Sequence, residues 1–72
     1  MGDHIYKITE LVGSSTKSIE DAIQQAVDRA GKTIRNMRWV EVGPIRGYIE
    51  NGSVRYYQVP VKIGFTLDEP GV

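Results

Sequence analysis

The 72-residue chain carries nine basic and nine acidic side chains, no cysteine, one histidine and one tryptophan. This length bounds it to one small domain over residues 1–72. Zero formal net charge excludes the excess of Lys and Arg that non-specific nucleic-acid binding needs, and the missing thiols exclude disulfides and thiolate-held zinc.

His4 to Val12 reads as a first strand with apolar residues on both faces, Tyr6, Ile8 and Val12 on one and Ile5 and Leu11 on the other. Such a strand is covered from both sides. Gly13-Ser14-Ser15 is expected to end it. A helix follows, because Ile19, Ala22, Ile23, Ala26, Val27, Ala30 and Ile34 recur at helical spacing. Ser15 or Ser18 can cap it, and Ser18 with Asp21 imitates a capping box. Gly31 either frays the helix or marks a close contact. Arg29, Lys32 and Arg35 at its C-terminal end read first as compensation of the helix dipole and second as a phosphate site.

Met37 to Glu50 is expected to be a second strand and Val54 to Leu67 a third, joined by an Asn51-Gly52 turn of type I′. The third strand alternates without a break through Tyr57, Val59, Val61, Ile63, Phe65 and Leu67, which assigns these to one buried face. With Asn51 and Gly52 as the loop, Val40 falls opposite Ile63, Val42 opposite Val61, and Pro44 opposite Val59. On the other face Glu41 meets Lys62, and Trp39 meets Gly64, which has no side chain to obstruct the indole. A bulge is expected where Gly43-Pro44 meets Pro60.

The expected fold is α+β, in the order β-α-β-β: a three-stranded antiparallel sheet with one helix on one face. The other face, with Trp39, Ile45, Ile49, Val54, Tyr56 and Gln58, is too apolar for free water and reads as an interface. Energetics agree. At about 25 cal/mol per Å², burial contributes roughly 105 kcal/mol, close to the roughly 108 kcal/mol that ordering the chain costs. With disulfides and metals excluded, self-association is the remaining support.

No catalytic set stands out. His4 has no evident nucleophile partner, and Gly43-Pro44-Ile45-Arg46-Gly47 lacks the ending of a phosphate loop. Trp39 offers a flat platform to a planar ligand, and the Gln58 amide matches a heterocycle edge with adjacent acceptor and donor. Spacing alone reads first as the blander case, with Trp39 an interface anchor and Gln58 a solvated strand residue, and second as a ligand site. The two side chains lie roughly 20 Å apart along one hairpin, so a shared small ligand needs them from neighbouring subunits.

These residues, in this order, resemble the dodecins. The resemblance rests on Tyr6 to Ser15, Ala22-Ile23-Gln24 with Arg29-Ala30, Lys32 to Arg35, Arg38 to Val42, Ile45-Arg46-Gly47, and Tyr57-Gln58-Val59 leading to Gly64-Phe65. It covers nearly the whole chain. It implies a sheet wrapped around its helix, and assembly of twelve copies into a hollow homododecamer. Flavins, as flavin mononucleotide or riboflavin, would stack in pairs between tryptophans of different subunits. Trp39 matches the stacking tryptophan, Gln58 the glutamine on the isoalloxazine edge, and Arg46 an arginine that also approaches the ring. The turn-based register sends Arg46 to the buried face, a conflict that a bulge at Gly43-Pro44 would resolve.

Bacterial relatives also suggest a coenzyme A site, here at Tyr6, Arg29, Thr33 and Arg35. Departures from the family pattern are Thr66 where Arg is frequent, Val40 where Phe is frequent, Gly31 and Pro60. The implied function is flavin storage and photoprotection, not enzymatic. The rivals are a flavin-dependent oxidoreductase and a structural shell whose Trp39 only packs. The N-terminus has no apolar signal-peptide run and no segment reaches membrane-spanning length, so a soluble cytoplasmic protein with no membrane or nucleic-acid partner is expected.

Overall fold

The longest strand forms where the alternation of apolar residues is longest. The computed structural model describes residues 4–67. In chain order it has β1 (Tyr6–Ser15), α1 (Ile19–Ala30), β2 (Met37–Val42), β3 (Arg46–Glu50) and β4 (Ser53–Thr66). β4 is the spine: β1 pairs along one edge, and β2 and β3 pair in succession along the other, all antiparallel. The sheet therefore has four strands, not the three expected. What reads as a single second strand is broken at 43–45, where Pro44 has no N–H to donate and Pro60 on β4 has none to return. The Gly43 N–H still donates to the Pro60 carbonyl at 2.8 Å.

The first strand also runs further than expected, through Gly13, Ser14 and Ser15. Gly13 does not end it; it admits the helix. A side-chain methyl there would overlap the carbonyl oxygen of Ala22 and lie 2.8 Å from its carbon and 3.3 Å from the Ala26 Cβ. The small helix stripe does what small residues allow: Ala22, Ala26 and Ala30 are buried, and Ala22 and Ala26 form one core with Val59 and Val61. Leu11, Ile19 and Ile23 pack at its margin. Of the expected buried face of β4, Val59, Val61 and Ile63 are buried, Tyr57 and Phe65 half-buried, and Leu67, beyond the strand end, exposed.

The helix begins at Ser18, whose hydroxyl accepts the Asp21 N–H at 3.0 Å. Asp21 does not close a capping box directly. Instead Ser15 relays it: the Ser18 N–H donates to Ser15 Oγ (3.3 Å), which donates to Asp21 Oδ2 (2.6 Å). The Ser15 hydrogen bond, and then that of the Gln25 amide, hold the Asp21 carboxyl below its ordinary value. The helix ends at Ala30, with Gly31 in right-handed geometry beside the Met37 methyl (3.2 Å from a would-be Cβ).

The helix backbone packs on β1 and β4, not on β2 or β3; at β2 its C-cap Gly31 meets the Met37 side chain. The chain is correspondingly extended, with a radius of gyration of 15.2 Å where about 11 Å is usual for this length. Its accessible surface is 5537 Å², against about 4,500 Å² for a compact monomer of this mass. No helix among the described residues is long and apolar enough to cross a membrane.

Candidate functional site

Side chains alternate across β4, so Gln58, Pro60, Lys62, Gly64 and Thr66 lie on the face opposite the helix, the outer face. At its β2 end, Trp39 pairs with Gly64 as the turn-based register expects. The fit is intimate. A methyl on Gly64 would overlap Cε2 and Cζ2 of the indole and lie 2.7 Å from Cδ2. The indole lies across the glycine, and the residue as a whole is 41% exposed, so part of the platform is open. A hollow of about 280 Å³ adjoins it, lined by Val27, Met37, Arg38, Trp39, Val40 and Ile63.

Glu41 is likewise opposite Lys62. The two do not close to an ion pair: among the described residues the salt bridge is Arg55–Glu50, at 3.2 Å. Register fixes Cα positions, whereas long solvated side chains gain little by meeting.

Beyond 43–45 the register has slipped by one, and Arg46 faces Gln58. The turn-based register, without a bulge, places Arg46 on the buried face; the extra residue between Gly43 and Arg46 turns it outward instead. Arg46 and Gln58 thus form a cross-strand pair on the outer face. A second irregularity between Tyr48 and Ile49, where Arg55 is the unpaired residue, restores the register before the turn. Ile49 and Val54 consequently leave the Trp39 face: Val54 Cγ1 sits 3.1 Å from where a Gly47 Cβ would be, on the helix side. Ile45, Ile49 and Val54 remain exposed because the helix does not reach that half of the sheet.

Trp39 and Gln58 are six residue steps apart along β4, roughly 20 Å. One chain does not bring the platform and the Arg46–Gln58 edge together. Of the other candidates, Tyr6 pairs with Thr66, whose N–H donates to the Asn36 carbonyl at 3.2 Å. This draws the start of β1 and the turn after the helix to one end of the sheet. Arg29, Thr33 and Arg35 are exposed around that turn, and Thr66 itself is buried, accepting from Arg38 Nε at 3.4 Å. His4 is exposed. No cluster of three potential metal ligands occurs among the described residues.

Sequence reasoning missed one feature here. Tyr48 and Tyr56 face each other beside the Arg46–Gln58 pair, with ring centroids 4.9 Å apart and planes 7° from parallel. Counted from the turn, they pair only when the unpaired Arg55 is allowed for.

A family model described as Dodecin matches residues 5–68. The chain is 49% identical over 65 residues to the Dodecin of Thermus thermophilus, covering 90% of this chain and 94% of that one. The dodecin of Streptomyces coelicolor superposes with a TM-score of 0.89 at 45% identity, covering 96% of this chain and 99% of that one. That of Streptomyces davaonensis gives 0.89 at 38% identity, with 94% and 100% covered. The chain belongs to the dodecin family, whose members are small binding proteins and not enzymes.

Proposed function

We propose that this protein stores and shields a flavin, held between Trp39 of one subunit and the Arg46–Gln58 edge of another in a hollow twelve-subunit shell. The observation that carries the reading is the partly exposed indole laid across Gly64. An aromatic face held flat by backbone is suited to a planar tricyclic ring. The Gln58 amide can donate to and accept from the pyrimidine edge of such a ring, and Arg46 adds charge-assisted donors. Their separation from Trp39 requires a second copy, and the extended chain with its surplus apolar surface calls for one independently. Stacking on indole returns the excited ring to its ground state by electron transfer, and enclosure limits its reaction with dioxygen.

Titration with riboflavin, flavin mononucleotide, flavin adenine dinucleotide and lumichrome tests the reading. Tight binding with loss of flavin emission is expected. A protein that leaves all four fluorescent refutes it and favours a shell in which Trp39 only packs. Steady-state turnover with reduced nicotinamide would favour the oxidoreductase reading.

A second reading adds coenzyme A at the Thr66 end, because Tyr6, Arg29, Thr33 and Arg35 surround the same turn. Calorimetric titration with coenzyme A is its test, and no heat of binding would dismiss it.

A further inference from the structure

One outer-face feature is left over by the flavin site. Tyr48 and Tyr56 form the next pair along the outer face from Arg46 and Gln58, about 7 Å away. Their rings lie parallel, and Tyr48 is 40% exposed. A hollow of about 250 Å³ opens alongside, lined by Tyr48, Ile49, Glu50, Arg55 and Tyr56, and the Arg55–Glu50 ion pair lies toward the turn. Stacking steadies the hairpin, but two phenylalanines would stack equally well. Neither phenol hydroxyl bonds another described residue, so the hairpin makes no use of the oxygens. What the oxygens confer is ease of oxidation.

We infer that the Tyr48–Tyr56 stack is a second electron donor to the excited flavin, an inference that rests on the flavin reading above. Two parallel phenols share the positive hole left when one electron departs, which makes the pair easier to oxidise than a lone tyrosine. Electron transfer weakens exponentially with distance, and a ring held at Gln58 stands one residue pair from the stack. Light promotes the flavin. The stack would supply one electron to a bound, excited flavin, leaving a positive charge shared by the two tyrosine rings. The same electron then returns. No bond is made or broken, no proton leaves, and no outside oxidant or reductant is consumed. Arg46, the cross-strand partner of Gln58 and one pair along from the stack, favours the transient anion. Quenching therefore does not depend on Trp39 alone.

Time-resolved fluorescence of riboflavin at saturation tests this in the assembled Trp39→Phe protein and in the same protein carrying Tyr48→Phe and Tyr56→Phe. Phenylalanine keeps the size and the stacking but is far harder to oxidise, so a purely structural stack leaves the lifetime unmoved. The expected result is a bound-riboflavin lifetime well below that of free riboflavin in Trp39→Phe, lengthening several-fold when both tyrosines are replaced. Equal lifetimes in the two proteins overturn the inference. So does loss of riboflavin binding in Trp39→Phe, because the inference needs a ring held at the Gln58 edge without the indole. If the unsubstituted protein binds no riboflavin, the flavin reading itself falls, a result distinct from both.

Discussion

A methyl group at position 64 has no room while the Trp39 indole lies across the backbone there. The backbone of Gly64 is outside the left-handed region, so alanine brings no conformational strain; its whole effect is on the ring. Carbon atoms pack at about 3.5–4.0 Å, and the least crowded of the three nearest ring atoms is 2.7 Å from the new methyl. The indole must therefore move by about 1 Å or more, and being partly exposed it can swing outward without disturbing the helix core. The fold should survive Gly64→Ala. The platform should not. Stacking of a planar heterocycle on an aromatic side chain is worth about 1–3 kcal/mol, so flavin affinity should fall roughly 5- to 150-fold. Flavin-fluorescence titration reads the affinity, and far-ultraviolet circular dichroism reads the fold. The loss should disappear in a Trp39→Ala background, where no ring remains to displace. Wild-type affinity in Gly64→Ala, alongside a clear loss in Trp39→Ala, would refute the placement of the ring.

Three further outcomes follow from the same geometry. Gly13→Ala drives a methyl into the Ala22 carbonyl, a backbone group that cannot rotate away, and should cost at least about 1–3 kcal/mol in denaturant unfolding; unchanged stability would mean the helix does not rest on this strand. Asp21 is held below its ordinary pKa by Ser15 and Gln25, so its contribution is present above the unfolded carboxylate value and is lost as pH falls through the folded one. Melting temperature should accordingly drop on acidification below about pH 4, less steeply in Asp21→Asn, and parallel curves would contradict the relay. Gly52 sits at φ 79°, where a β-branched side chain is strained, so Gly52→Val should destabilise the hairpin by about 1–2 kcal/mol. A thermal melt matching wild type would argue against the type I′ turn.

Much of this architecture is legible because local chemistry and register agree. Asn51 and Gly52 take the positive φ angles, 53° and 79°, that a type I′ turn requires. Counting from that turn places Trp39 on Gly64 and Val40 on Ile63, as found. The count succeeds there for a reason not visible beforehand: two irregularities of opposite sense cancel. Between them, at 46–48, counting fails, and those residues include Arg46. Proline at 44 and 60 marks where the ladder opens, but no propensity states how many residues the opening absorbs. The unpaired Arg55 has no comparable marker, which is why the Tyr48–Tyr56 stack was not foreseen. Gly13 misled in a different way. Its composition suggests a turn, and only the approach of Ala22 explains a glycine inside a strand.

The central claim is that the flavin site is built from two chains, and subunit mixing tests it most directly. Trp39→Ala protein lacks the platform and Gln58→Ala protein lacks the edge donor, so each alone should bind flavin mononucleotide weakly. Unfolded together and refolded into mixed assemblies, they should regain tight, fluorescence-quenching binding at those sites where an intact Trp39 meets an intact Gln58 from the other chain. A mixture that binds no better than the average of its two parents would contradict a shared site.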